Sequence, residues 1–281
     1  MFGLIRSGMV TAMKELQVVS NNIANSGSTA FRKSDISFSD IYSQTTAGAD
    51  GGSQFGSGVR VAAVRMSEAQ GGMVQREGAL NLAIAGSGYF VLSPTNTPEA
   101  AVTAQNFTRN GEFSLDSQGY LRATNNSYVL GTKLNSGEGA DTEADTEGAA
   151  ALSKIQVPQS IGEETKSALT DISVTSDGTV TATYGIDTIQ KLFTLSLANF
   201  PNQAALGNLG GSTFVKTDAS GEPIIASSGS SGLGSISSGM LETSNVDITN
   251  EMTAMIRSQQ QFNGAARLLQ TNADMIEKLT R

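Results

Sequence analysis

Apolar residues recur every seven positions at both ends of this chain, and that limits what it can fold into more than any other feature. Near the start, Phe2, Met9, Leu16 and Ile23 take one place of the repeat and Ile5, Ala12 and Val19 the other. At the far end Ile248, Met255, Phe262, Leu269 and Ile276 repeat in the same way, with Met252, Gln259, Ala266 and Ala273 in the second place. Such spacing belongs to a helix whose apolar seam faces another helix. A single stripe would fit an amphipathic helix lying on its own domain. Two stripes at the extreme termini, where globular domains usually fray, with no third helix of like regularity between them, predict helices that pair with each other and with copies of themselves. The expected assembly interface is therefore Phe2, Ile5, Met9, Leu16, Val19 and Ile23 from one end, and Ile248, Met252, Met255, Phe262, Leu269 and Ile276 from the other. Asp247 or Thr249 is placed to cap the second helix, which over residues 249–280 would be roughly 47 Å long at 1.5 Å per residue.

Between the ends the pattern changes to short strands and turns. Gly58–Val64, Asn81–Ala85, Tyr89–Leu92, Phe107–Arg109, Glu112–Leu115 and Tyr120–Ala123 form one set, and Ile172–Val174, Thr179–Thr183 and Lys191–Leu197 a second. Asn110-Gly111 and Gln118-Gly119 read as hairpin turns, because glycine tolerates the positive φ they need, and strands of the second set flank Asp177-Gly178. The expected fold class is α+β, with terminal helices (1–25 and 247–281) forming a coiled-coil-like inner domain and a central all-β domain over 26–246. Three stretches read as flexible loops: 44–57, 136–150 and 226–239. The second carries Glu138, Asp141, Glu143, Asp145 and Glu147 without the spacing of an EF-hand, and the third has no lysine in a phosphate-loop position.

Composition narrows the function. The 281 residues carry a net charge of −8, which argues against a nucleic-acid partner. No run of 18 apolar residues exists for a membrane span, so no direct membrane insertion is expected, and the start lacks a signal-peptide pattern. Cysteine and histidine are both absent, which removes thiolate chemistry, imidazole ligands and the commonest general base. Neither Ser with Lys nor the carboxylates Asp171 and Asp177 stand in a catalytic spacing. The expectation is a protein that is not an enzyme and uses no metal or other cofactor. An adhesin-like or glycan-binding β protein would fit the Ser/Thr-rich strands but not heptads at both termini.

Residues 20–38 hold Asn21-Asn22-Ile23-Ala24-Asn25, followed by Phe31-Arg32-Lys33 and Phe38. This resembles the N-terminal motif of the bacterial flagellar hook and rod protein family, with Ala30 where many members carry Gly. Asn and Ser side chains compete for backbone hydrogen bonds, so this run is expected to end the helix. Gly56–Val61, Leu82–Val91, Phe107–Phe113 and Leu197-Ala198-Asn199-Phe200 look like the family's successive β motifs. Gly239–Asp247, with Ser244, Asn245 and Val246, followed by Glu251–Ile256, is similar to its second hallmark. The resemblance implies a helical homopolymer with the helices lining a tube and the β domain outside, transmitting motor torque. It also implies other axial proteins as partners (rod, hook cap and hook–filament junction subunits). The location implied is the hook or basal body, reached by flagellar type III export without a cleaved signal peptide. The Leu197–Phe200 and Ser244–Asp247 motifs look closer to the hook protein, whereas the length, with little room for an inserted outer domain, looks closer to the distal rod protein; the hook is the reading adopted, with the distal rod as the alternative.

Overall fold

A computed structural model describes residues 2–42, 56–94, 104–134, 152–161, 167–185, 188–230 and 232–280. The stretch 136–150 and nearly all of 44–57, expected as loops, lie outside the described residues. The chain divides into two compact units.

The first unit takes residues 1–28, 32–69 and 244–281. Its helix α1 (Phe2–Ala24) ends in the asparagine run, where Asn25 donates from Nδ2 to the Asn21 carbonyl at 2.9 Å. The same carbonyl accepts the Asn25 N–H at 3.1 Å, so one residue closes the last turn with both backbone and side chain. The helix α2 (Ile248–Thr280) starts at Asp247, whose Oδ1 accepts from the Thr249 and Asn250 N–H groups at 2.9 and 3.3 Å. Of the two expected caps, Asp247 therefore does the capping, and Thr249 is already in the first turn. Strands β1 (Ser34–Tyr42) and β2 (Gly56–Met66) form an antiparallel ladder against which α1 packs. Contact is close at Gly58, where φ is +123° and an added Cβ would collide with the Ser7 hydroxyl. This ladder stands with the helices, although the sequence groups everything from 26 to 246 into one β body. Its strands are long and sparsely apolar, and α1 offers the surface that covers one face.

The second unit takes residues 29–31 and 70–243. Its strands are β3 (Met73–Gln75), β4 (Leu82–Ala85), β5 (Tyr89–Ser93), β6 (Asn106–Thr108), β7 (Phe113–Leu115), β8 (Leu121–Ala123), β9 (Tyr128–Lys133), β10 (Ser153–Lys154) and β11 (Ser160–Ile161). They continue with β12 (Ser167–Val174), β13 (Thr179–Tyr184), β14 (Thr188–Asn199), β15 (Gly207–Gly210), β16 (Thr213–Val215), β17 (Ile224–Ser227), β18 (Ser235–Ser238) and β19 (Met240–Glu242). Thirteen of these join one sheet, nine along the path β11-β12-β13-β14-β9-β5-β6-β16-β15 and β7, β8, β10 and β17 beside it, while β18 pairs with β4 and β19 with β3. The pairs are all antiparallel, both in the hairpins β7–β8, β12–β13 and β13–β14 and between strands distant in sequence such as β4 and β18. Leu82, Phe90, Val129, Leu195 and Ile236 belong to one buried core. Tyr89, Phe107, Phe200 and Phe214 form a separate aromatic group, with Phe107 and Phe200 edge-to-face at 4.7 Å. That group explains the Leu-Ala-Asn-Phe motif.

Two expectations need correcting. Residues 226–239 are no linker: Ser235–Ser238 pairs with β4, and Leu233 and Ile236 are buried in the core. One inward Ile236 between small residues suffices for a short half-buried strand, however rich the stretch is in Gly and Ser. Asn110-Gly111 is no hairpin turn either, since β6 pairs with β5 and β16 whereas β7 pairs with β8. The chain leaves β6 at Arg109, whose side chain is buried. Gln118-Gly119 and Asp177-Gly178 do close hairpins, with φ of 80° and 79° at the glycines.

Candidate assembly interface

Asn22, near the end of α1, donates from Nδ2 to Glu251 Oε2 in the first turn of α2 at 3.1 Å. Helices that meet at the end of one and the beginning of the other can lie side by side only if they run antiparallel, and α1 and α2 do pack together. On α1 the seam is as the heptads predict: Ala12 and Val19 are buried, Ile5, Met9, Leu16 and Ile23 half-buried, and Phe2 at the tip exposed. On α2, Met255, Phe262 and Leu269 are half-buried, but their companions are Glu251 and Ser258, both buried, and the half-buried Ala265 and Asn272. These stand three residues after each main seam position, as Ile5, Ala12 and Val19 do on α1. Of the positions four residues after, Ala266 is half-buried but Met252, Gln259 and Ala273 are exposed, so Met252 lies outside the seam between the two helices. The polar residues at the true places hid them from a hydrophobic count.

Helix lengths decide the rest. With 23 residues against 33, α1 runs out beside about residue 272 of α2, and residues 273–280 are all exposed. Ile276 occupies a core place of the repeat and is nevertheless 44% exposed, and Leu279 is 79% exposed. Ile248, Met252 and Ile256 make an exposed row on α2, and Val10 and Met13 are exposed on α1. Isolated exposed apolar residues are normal, but rows along a paired helix mark an interaction surface. Among the described residues no helix is long and apolar enough to cross a membrane.

The helix pair is tied to the β1–β2 ladder by a polar junction. Asn22 also donates from Nδ2 to the Ser34 carbonyl at 2.9 Å and accepts the Ser34 N–H at Oδ1 at 3.0 Å. The Lys33 ammonium lies 3.7 Å from Glu251 Oε1 and 3.2 Å from Asp35. The Lys33 N–H donates to Asn245 Oδ1 at 2.8 Å, and Asn245 Nδ2 donates to the Ala69 carbonyl at 2.8 Å. The buried Arg32 donates to the Glu68 and Ala69 carbonyls at 2.6 and 2.5 Å.

Comparison with known proteins gives this arrangement a family. Residues 83–182 match the family described as "Flagellar hook protein FlgE/F/G D1 domain", and residues 237–281 match "Flagellar basal body rod FlgEFG protein C-terminal". The chain belongs to the flagellar hook and rod protein family. It is 28% identical to the flagellar basal-body rod protein FlgG of Buchnera aphidicola (subsp. Acyrthosiphon pisum) over 98% of this chain and 96% of that protein. Against FlgG of Caulobacter vibrioides the identity is 29%, over 96% and 94%. The flagellar hook protein FlgE of Treponema pallidum is 36% identical over 109 residues, which are 39% of this chain and 24% of that protein.

The residues carrying the hook and rod family motif fall into two classes. Asn22 and Asn245 are wired into the junction, and Ile23 is half-buried on the α1 seam. Asn25 and Phe31 are half-buried in the turn that follows, while Asn21 and Ala24 are exposed. Ser244 and Val246 are half-buried just before α2. Ala30 sits at φ 54°, a left-handed conformation that explains the glycine expected there.

Sequence reasoning missed the residues that hold the β unit together. Arg109 Nε donates to Glu242 Oε2 at 2.7 Å, with both side chains at most 2% exposed. Arg109 also donates to the carbonyls of Gly88, Gly86 and Ile84 at 2.9, 2.8 and 3.2 Å. Glu242 Oε1 accepts the Gly71 N–H at 3.0 Å, and its carbonyl accepts the Ala30 N–H at 2.8 Å. Glu242, in the strand leaving this unit, thus holds Arg109 with its carboxylate and the entering segment at Ala30 with its carbonyl. The available signal was a lone charge in each of two strand-like runs, Phe107-Thr108-Arg109 and Met240-Leu241-Glu242.

Proposed function

We propose that this protein is a structural subunit of the flagellar axial assembly, placed in the rod, and that its terminal helices complete their packing against other copies. The observation that carries the assembly reading is the apolar surface left on α1 and α2 after they have paired, above all the overhang at 273–280. A lone subunit leaves that surface in water; a helical array of identical subunits buries it at each neighbour, because the contact is heterologous and does not close. The twelve residues expected at the interface divide accordingly. Val19, with Ile5, Met9, Leu16, Ile23, Met255, Phe262 and Leu269, serves the intramolecular seam. Phe2, Ile248, Met252 and Ile276 face other copies.

The rod is favoured over the hook by coverage. The FlgG relatives correspond to this chain nearly end to end. The hook protein of Treponema pallidum matches only a part, and that local match is what keeps the hook as the second reading. Partners would be copies of the chain and, at the ends of the segment, other axial proteins, and no reaction or cofactor is assigned. Deleting the gene separates the two positions: cells that stop before the distal rod support this reading, whereas cells with a complete rod and no hook move the protein to the hook. Purified protein should polymerise when concentrated; a chain that stays monomeric at high concentration would count against assembly altogether.

A further inference from the structure

The helix seam repeats every seven residues, so sliding α2 along α1 by one heptad still sets apolar side chains against apolar side chains. Something else must choose the position. Ser258, although buried, satisfies its hydroxyl on its own helix by donating to the Ala254 carbonyl at 3.0 Å, and so is indifferent to what lies opposite. Glu251 is different. Among the described residues it is the one ionisable side chain buried on either helix, and its carboxylate depends on Asn22 and Lys33. Asn22 is itself fixed from the other side, because its amide both donates to and accepts from the Ser34 backbone. A one-heptad slip would bring Ser258 to Asn22 and leave the Glu251 carboxylate without that donor, the costly state for a buried charge.

We propose that Asn22 and Glu251 are positioning residues that set the register of the helix pair against the start of β1. They act as a polar key in an otherwise repetitive seam, a role in which a single buried polar group selects among packings that apolar contacts leave nearly equivalent. The key works within one chain and holds whether or not the assembly reading does. For assembly its consequence is uniformity, since every copy presents the 273–280 overhang at the same height relative to its own ladder.

The absence of cysteine makes the test direct. In an antiparallel pair residue numbers fall on one helix as they rise on the other, so contact of 22 with 251 sets 19 beside 254, and a one-heptad slip sets 19 beside 261. Val19→Cys with Ala254→Cys reports the native register, and Val19→Cys with Gln261→Cys the slipped one, each read as intramolecular disulfide in dilute monomer. With the key intact only the first pair should close. Adding Asn22→Leu and Glu251→Leu should raise the yield of the slipped pair roughly tenfold or more. Glu251→Ala, which shortens one side chain only, should raise it in the same direction and serves if the double variant does not fold. Glu251→Gln keeps an acceptor for Asn22 and should hold the native register. The proposal fails if the native pair alone still closes without the key, which would leave size matching in the apolar seam as the selector. It fails equally if Glu251→Gln slips as far as the double variant.

Discussion

The two units of this protein solve the same packing problem to different degrees. In the β unit, strands from all along 70–243 close around a core in which Leu82, Phe90 and Leu195 lose all contact with water, and the buried charges Arg109 and Glu242 satisfy each other. In the helical unit, Ala12 and Val19 are the only apolar side chains of the two helices that are fully buried among the described residues, while rows such as Ile248, Met252 and Ile256 stay in solvent. A closed core is a finished structure. An open row is an unfinished one, and under the proposed assembly it is the part that neighbouring copies would complete.

The sharpest way to break that comparison is to open the closed unit. Arg109→Met leaves the Glu242 carboxylate buried without its partner and should cost about 3–5 kcal/mol. Thermal unfolding of the β unit would show it, and pairing the change with Glu242→Leu should recover much of the loss. If Arg109→Met unfolded only the helices, the division into a self-sufficient and a dependent unit would be wrong. A smaller effect tests the helical side. Asp247→Ala removes the cap of α2 and should cost about 1 kcal/mol, seen as faster hydrogen exchange in α2 with exchange in β5 and β14 unchanged. Smallest for folding, Leu279→Gln should change stability by no more than about 0.5 kcal/mol, as exposed substitutions do. Its readout is polymerisation, which should need a higher protein concentration. Unchanged polymerisation would remove the overhang from the interface.

Legibility in the sequence followed the same divide. The α1 seam was readable because Ile5, Ala12 and Val19 are apolar and fall where the repeat requires. The α2 seam was half readable, because Glu251 and Ser258 occupy the true places and Met252 drew attention to the wrong side. The strands of the β unit were largely found from β-branched and aromatic runs, but two local signals misled. Asn110-Gly111 carries hairpin chemistry, yet the strands on its two sides find other partners. Residues 226–239 carry linker composition, and β4 offers them a partner strand.

Local chemistry thus determined the helices, their cap at Asp247, most strands and the turns at Gly119 and Gly178, since each depends on residues a few positions apart. The family motifs, too, are local runs. Tertiary structure alone decided that Asn22 meets Glu251 across 229 positions, that Arg109 meets Glu242 across 133, and that the β1–β2 ladder belongs with the helices. Pairings of this kind are worth making only once water has been excluded around them, and no window of sequence contains the side chains that exclude it.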